Sequence, residues 1–169
     1  MNPTPTIRKE TVEDIPSIRA VVHAAFGTAG EANLVDGLRC SGALTLSAVA
    51  VVGSRVVGHV GFSPVTIDGQ HPALALAPVA VAPDCQRQGI GSALIRWGLD
   101  ECRRLGHGGV IVVGEPAYYP RFGFTPASLF GIQCPFPVPP EAFMVLELSP
   151  GTASGSRGMV RYRPEFDAV

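Results

Sequence analysis

The fold is decided by one stretch, Val79-Ala80-Val81-Ala82-Pro83-Asp84-Cys85-Gln86-Arg87-Gln88-Gly89-Ile90-Gly91-Ser92. An apolar run leads into a short polar loop with two glycines, after which a helical period begins. At such a junction several backbone N–H groups point the same way, reinforced by the positive end of the helix dipole. Because glycine lets a ligand approach the main chain closely, the stretch predicts an anion cradle suited to a pyrophosphate. A tight loop whose glycines serve only geometry fits the same pattern.

Two other phosphate-binding motifs and one hydrolase motif are excluded by inspection. The chain has no G-x-x-x-x-G-K-[ST] sequence, and Gly89-Ile90-Gly91-Ser92-Ala93-Leu94 lacks the third glycine of the dinucleotide fingerprint. No G-x-S-x-G nucleophile elbow occurs either.

Outward from this loop, the hydrophobic pattern predicts one mixed sheet with helices on its faces. An apolar run at 74–81 predicts a central strand buried on both faces, and the strand–helix–strand order around the loop predicts a parallel, right-handed crossover. The expected strands are 6–9, 44–52, 55–65, 74–81, 110–113 and 143–148, and the expected helices are 11–26, 31–39 and 89–106. The fold class is therefore α/β (α+β).

Composition narrows the class of protein. The 169 residues, 46% of them hydrophobic, suit one folded domain, and a net charge of −1 without a basic cluster argues against nucleic acid as a partner. No apolar run approaches the roughly 18–20 residues that span a bilayer, and the first residues do not form a signal peptide, so we expect a cytoplasmic protein without a membrane partner. Because the four cysteines are widely spaced, we expect neither a metal site nor a disulfide scaffold.

Two motifs in register resemble a known family. Gln86-x-x-Gly89-x-Gly91 resembles the Q/R-x-x-G-x-G/A signature of the GNAT superfamily of acyl-CoA-dependent N-acetyltransferases, and Tyr118-Tyr119-Pro120-Arg121-Phe122-Gly123-Phe124 resembles its F-Y-x-x-x-G-F motif. Together with Cys-Pro-Phe-Pro-Val-Pro at 134–139, the second motif is similar to that of the YhbS-type acetyltransferases. The resemblance covers residues 4–148 as one acetyltransferase domain. Residues 149–169 form a Gly/Ser-rich C-terminal segment with an expected edge strand.

The resemblance implies a mostly antiparallel sheet, two splayed parallel strands, and acetyl-CoA as cosubstrate without a metal. It assigns the pantetheine arm to the main chain of Val79, Ala80 and Val81, and the pyrophosphate to the loop residues Arg87, Gln88, Gly89, Ile90, Gly91 and Ser92. It also makes Tyr119 the acid that protonates the departing CoA thiolate. Packing beneath the cofactor is the other role open to Tyr119.

A general base is harder to choose. Glu115 follows the strand 110–113 and could take the ammonium proton directly or through water, although the position also suits a capping or loop carboxylate. Glu31 reads as a first-turn acid that complements a helix dipole, and His59, in an apolar strand, reads as a core or edge residue.

Two functions follow. The first is transfer of the acetyl group from acetyl-CoA to a primary amine, by direct attack in a ternary complex. The amine would belong to a small molecule or a peptide, and its pocket would come from residues 12–40 and 125–142. The alternative is a non-catalytic acyl-CoA sensor or partner module. A homodimer is a further expectation, since the C-terminal strand at 158–163 could pair with a second copy or with its own sheet.

Overall fold

Residues 3–169, which the computed structural model describes, contain three α-helices and nine β-strands. The helices are α1 (Ile15–Phe26), α2 (Gly30–Cys40) and α3 (Ile90–Arg104). The strands are β1 (Thr6–Lys9), β2 (Leu46–Val52), β3 (Arg55–Ile67), β4 (His71–Val81), β5 (Gly109–Val113), β6 (Thr125–Pro126), β7 (Ile132–Gln133), β8 (Phe143–Glu147) and β9 (Gly158–Arg161).

The chain divides into two compact units. The first comprises residues 3–63, 77–100 and 164–169, and the second comprises residues 64–76 and 101–163. Strands β3 and β4 run through both units, as does α3.

In the first unit the strands lie in the order β1-β2-β3-β4, and β2 pairs antiparallel with both β1 and β3. Helices α1 and α2 cover one face of this sheet. Their buried side chains form a cluster with side chains of β2, of β4 and of the residue that follows β4. Its members are Ile18, Val21, Val22, Ala32, Val35, Val49, Ala80 and Ala82. This apolar face is what holds the end of β4 in place before the loop begins.

Helix α3 packs on the opposite face of β3. Val49 and His59 are direct partners in the β2–β3 register, so His59 points toward α1, and its neighbour Gly58 points the other way. A Cβ on Gly58 would lie 2.9 Å from Leu94 Cδ1, and a Cβ on Gly98 would lie 2.5 Å from Phe62 Cε2. Two glycines therefore let α3 approach the strand closely.

The start of α1 is fixed by a buried carboxylate. Asp14 accepts hydrogen bonds from Arg8 at 2.6 and 3.0 Å, and from the backbone N–H of Thr11 at 2.7 Å. The Arg8 guanidinium holds the pKa of Asp14 well below its usual range, at about 2, with a further contribution from Thr11. Strand β1 is thereby tied to the first turn of the helix.

In the second unit β4 pairs parallel with β5, which confirms the predicted parallel crossover. Strand β5 pairs antiparallel with β8, and β8 with β6. The β4–β5 pairing consists of Leu74 with Val110 and Ala75 with Ile111. The β5–β8 pairing continues further along β5, to Val113. The predicted mixed sheet flanked by helices is confirmed.

The expectation that the strand at 74–81 is buried on both faces is wrong for its second half. Ala73 to Leu76 are buried, but Ala77, Val79 and Val81 are partly exposed while Pro78 and Ala80 are buried. Pro78 also has no N–H and so contributes no donor to a ladder. One side of β4 is thus open along the residues that lead into the loop.

The C-terminal region contains more regular structure than the sequence predicts. Residues 125–142, expected as a loop, include the two-residue strands β6 and β7. Strand β9 pairs antiparallel with β3 of the same chain and parallel with β7, and a 3-10 turn follows at Pro164–Ala168. The domain boundary at residue 148 and the homodimer stay predictions.

Candidate active site

The loop after β4 is shaped by its own side chains and by two left-handed residues. A 3-10 turn at Pro83–Cys85 starts it, and the Gln86 side-chain amide then donates a hydrogen bond to the carbonyl of Val81 at 3.0 Å. Arg87 and Gly89 have φ angles of 63° and 85°. Left-handed φ is rare for arginine, so the turn at Arg87 is a constrained conformation that curls the main chain toward the helix.

An ion pair braces this loop from β3. Arg55 donates to both carboxylate oxygens of Asp84 at 2.8 Å, and its guanidinium lies 3.8 Å from Cys85 Sγ. The Arg55 hydrogen bonds lower the pKa of Asp84 to about 2. Because both side chains are more than half exposed, the pair fixes geometry more than it adds stability.

The residues predicted to bind a pyrophosphate come together at the start of α3. Arg87, Gln88 and Gly89 are exposed, Gly91 and Ser92 are partly exposed, and the Ile90 side chain is buried. The Ala93 N–H closes the first helical turn on the Gly89 carbonyl at 3.0 Å. The N–H groups of a first helical turn point out of the helix end, which gives this junction the geometry of an anion site.

The three residues predicted to lie beside the pantetheine, Val79, Ala80 and Val81, are the last three residues of β4. Val79 and Val81 lie on the partly exposed side of β4, whereas the Ala80 side chain packs in the core under α1. Their main-chain groups lead directly into the loop. Where β4 extends beyond its pairs with β5, its main-chain groups can accept an extended, amide-containing ligand.

A cavity of about 730 Å3 borders the same loop on the side of the Arg55–Asp84 pair. Gln88, Gly89 and Ile90 contribute to its wall. The remaining lining residues are Pro3, Thr4, Pro5, Val52, Arg55, Val57, Asp84, Cys85 and Ala93.

In the second unit, Tyr119 is enclosed by aromatic rings. Its ring meets those of Tyr118 and Phe124 edge-to-face, at centroid distances of 5.1 and 5.8 Å, and the Phe122 ring lies at 6.2 Å. Burial raises the pKa of Tyr119 to about 12, with Tyr118 adding to the effect. The phenol therefore stays protonated over the physiological range and can act as a hydrogen-bond or proton donor.

Arg121 holds the side chain and backbone of Tyr118 in place. Its guanidinium stacks over the Tyr118 ring at 4.3 Å, and its Nε donates to the Tyr118 carbonyl at 2.8 Å. Tyr118 thus forms a rigid packing surface for Tyr119.

Glu115, the other predicted catalytic residue, lies close to Tyr119 along the chain. Its carbonyl accepts the N–H groups of Tyr118 and Tyr119 at 3.0 and 3.3 Å, and its side chain is exposed. The structure therefore brings Glu115 and Tyr119 onto one turn, with the carboxylate free of the aromatic enclosure.

The other two candidates for the general base, His59 and Glu31, both make hydrogen bonds to neighbouring side chains. His59 is fully buried and exchanges a 2.8 Å hydrogen bond with Ser47 through Nε2, and burial lowers the pKa of His59 to about 3, so its predicted place in the core is confirmed. Glu31 lies in the first turn of α2 and accepts a hydrogen bond from Thr28 Oγ1 at 3.4 Å.

Three features of the site are not predicted by the sequence pattern. The Gln86 bond to Val81 spans five residues, and the Arg55–Asp84 pair spans 29, so only the folded hairpin reveals the latter. The third is Gly114, beside the Tyr119 ring. Its only sequence signal is a glycine placed directly after an apolar strand.

Among residues 3–169, no group of three or more His, Cys, Asp or Glu side chains could hold a metal ion. Within the same residues, every helix is too short or too polar to cross a membrane.

Comparison with known proteins gives consistent matches. The model of the Acetyltransferase (GNAT) family matches residues 25–124. The uncharacterized N-acetyltransferase YhbS of Escherichia coli K12 is 37% identical over 163 residues, which are 95% of this chain and 98% of YhbS. The uncharacterized N-acetyltransferase YjhQ of the same strain is 40% identical over 134 residues, 76% of this chain and 74% of YjhQ.

Two similar crystal structures contain CoA or acetyl-CoA. YhbS from Escherichia coli in complex with CoA has a TM-score of 0.93 at 36% identity and covers 99% of this chain and 95% of its own. A GNAT family acetyltransferase from Brucella melitensis in complex with acetyl-CoA has a TM-score of 0.83 at 38% identity, with coverages of 96% and 98%.

The strand–loop–helix geometry and these matches place the chain in an acetyltransferase family. The chain belongs to the GNAT family, as its two motifs predict.

Proposed function

We propose that this protein transfers the acetyl group of acetyl-CoA to a primary amine, by direct attack in a ternary complex. One observation carries the proposal: the Gln86–Ser92 loop opens α3 with outward N–H groups in a chain that matches CoA-bound YhbS over nearly its whole length. Acetyl-CoA is also bound in the Brucella melitensis relative.

The cradle would bind through its main chain. The N–H groups of Ile90, Gly91 and Ser92 would donate to the pyrophosphate, and Arg87 would add a charge-assisted contact. Main-chain groups of Val79–Val81 would bond the pantetheine amides. The open side of β4 supports this assignment, because an arm lying there displaces no packed side chain.

The chemistry needs an acid at the sulfur. The amine nitrogen uses its lone pair to form the N–C bond, and when the C–S bond breaks the sulfur keeps the electron pair. Tyr119 would give its hydroxyl proton to that thiolate, and the proton that the nitrogen loses as the amide forms would restore the phenol through water. The neutral state of the phenol supports this role, since the donor must hold its proton until the bond breaks.

The proton on the amine must leave before or during attack. We assign this step to the Glu115 carboxylate, acting directly or through a water molecule. Its support is its place on the turn that carries Tyr119, together with an exposed side chain.

A thiol-release assay over a panel of small-molecule and peptide amines tests the proposal. We expect CoA thiol to appear only when enzyme, acetyl-CoA and an accepted amine are all present, with a product heavier by one acetyl group. A protein that binds acetyl-CoA and releases no thiol with any amine would be the sensor instead. Tyr162→Phe, which removes a hydroxyl from a ring packed against Phe136, is the matched control for the Tyr119→Phe variant.

A further inference from the structure

Gly114 leaves the space in which the Tyr119 ring lies. A Cβ built on Gly114 would overlap Tyr119 Cε2 and would lie 2.8 Å from Cδ2 and 3.2 Å from Cζ. Ordinary van der Waals contact begins near 3.4 Å. Every other amino acid at position 114 would therefore collide with the ring in its present place.

The backbone of Gly114 is fixed. The preceding residue, Val113, is paired with Phe143 in the β5–β8 register, and the Gly114 N–H donates to the Ala142 carbonyl at 2.9 Å. A collision would have to be relieved mainly by the tyrosine, because moving Gly114 would break the end of a ladder.

The ring itself has little freedom to move. Phe124, only 2% exposed, meets one side of it, and the Arg121-stacked Tyr118 meets another. The Tyr119 N–H is also bonded to the Glu115 carbonyl. Displacement by a Cβ would shift or rotate the ring and carry its hydroxyl with it.

We propose that Gly114 is a positioning residue for acetyl transfer, because its missing side chain seats the Tyr119 ring and so sets where the phenolic hydroxyl points. The inference rests on the proposed function, in which that hydroxyl protonates the CoA thiolate. It adds a requirement that the motif around Tyr119 does not state: the residue after β5 must lack a Cβ.

The kinetic consequence is a separation of turnover from cosubstrate binding. Relief of the collision needs a movement on the order of 1 Å, and a misplacement of that size costs about 100-fold in rate. We expect Gly114→Ala to lower kcat roughly 100-fold while the Kd for acetyl-CoA changes less than threefold. A kcat within threefold of the unmodified protein would overturn the proposal.

Gly108→Ala is the matched control. Gly108 precedes the same strand, and a Cβ there would lie 2.8 Å from Thr152 Oγ1, so it is also crowded. Its neighbour is the end of a side chain remote in sequence from Tyr119. We expect a lower thermal midpoint with kcat preserved.

A double-mutant cycle separates positioning from general damage. In the Tyr119→Phe background the hydroxyl is already gone, so adding Gly114→Ala should cost less than about threefold more. If the two losses multiply to roughly 10,000-fold, Gly114 acts independently of the hydroxyl and the proposal fails.

NMR spectroscopy tests whether Gly114 sets the position of the Tyr119 ring, and it needs no turnover. The three tyrosines, labelled with 13C at Cζ, give three resonances that single Tyr→Phe variants assign. We expect Gly114→Ala to move the Tyr119 resonance and to leave that of Tyr162 in place. An unmoved Tyr119 resonance would overturn the seat even if the enzyme is active, whereas a moved resonance in a protein that acetylates no amine would overturn only the proposed function.

If Gly114→Ala does not fold, the same comparison is made in a Tyr119→Ala background. Recovery of a cooperative thermal transition in the double variant would support the seat, because the colliding ring is gone. Failure to recover it, with Tyr119→Ala alone folded, would show that the Cβ collides with something else.

Discussion

Burial gives Tyr119 its chemical character. A phenol at the surface has a pKa of about 10, and the aromatic enclosure raises the pKa of this one to about 12. The shift keeps the proton on oxygen at any pH where the protein would work. Tyr119 therefore suits proton donation and not proton removal.

Removal of that hydroxyl should affect turnover alone. We expect Tyr119→Phe to lower kcat about 100-fold or more, because a positioned acid contributes at least that factor. The Kd for acetyl-CoA should stay nearly the same, since the ring remains in place. Steady-state kinetics beside calorimetric binding makes the comparison, and an unchanged kcat would remove Tyr119 from the mechanism.

The pH dependence of turnover tests Glu115. If its carboxylate takes the ammonium proton, Glu115→Gln should move or abolish the acidic limb of the kcat/KM profile, because the amide cannot accept that proton. The alkaline side should show no loss from Tyr119 below about pH 10, because its raised pKa keeps it protonated there. An acidic limb identical in both proteins would clear Glu115 of the role.

Among the elements, α1 and β1 are linked by the Asp14 carboxylate. Its folded pKa lies near 2, below the ordinary value of 3.8, so it favours folding when ionised. That contribution is complete above about pH 4 and is lost as the pH falls toward 2.

Loss of this carboxylate should therefore matter most near neutral pH. We expect Asp14→Asn to lower the free energy of unfolding by about 1–2 kcal/mol at pH 7, a modest value because Arg8 is 41% exposed. The difference should shrink as the pH approaches 2. Urea unfolding at several pH values measures it, and Glu13→Gln, an exposed acid in the same turn, is the control. A difference that stays constant with pH would contradict the assignment.

The order of the helices and strands can be predicted from periodicity, but the partial exposure of the second half of β4 cannot. The apolar run at 74–81 suggested burial on both faces, and the signal against it was Pro78, which interrupts a ladder. Strands β6 and β7 span two residues each, too short for any period to appear.

For the whole molecule, the parts of the site that are continuous in the chain are predictable from sequence, and the parts built by long-range contacts are not. The loop from Gln86 to Ser92 and the turn around Tyr119 are continuous in the chain, so motif and mechanism could be read together. The Arg55–Asp84 brace and the space beside Gly114 arise from contacts that no spacing rule encodes.

Reversing the charge of Arg87 tests whether the loop after β4 binds the pyrophosphate. Arg87→Glu should weaken acetyl-CoA binding at least tenfold, because a charge-assisted contact of roughly 1.5–3 kcal/mol becomes a repulsion. Arg157→Glu makes the same change of charge at an exposed position of the second unit and should bind normally. Isothermal calorimetry distinguishes the two, and equal affinities would exclude Arg87 from the site.

A thermal-midpoint titration with acetyl-CoA, CoA, ATP and NAD tests the central claim most directly. A ligand at a hundredfold excess over its Kd stabilises the native state by about 2.7 kcal/mol, roughly 5–10 °C for a chain of this size. We predict this increase with acetyl-CoA and CoA, and none with ATP or NAD. An unchanged midpoint with both CoA species would mean that the Gln86–Ser92 loop serves geometry alone, and the proposed acetyl transfer would fall with it.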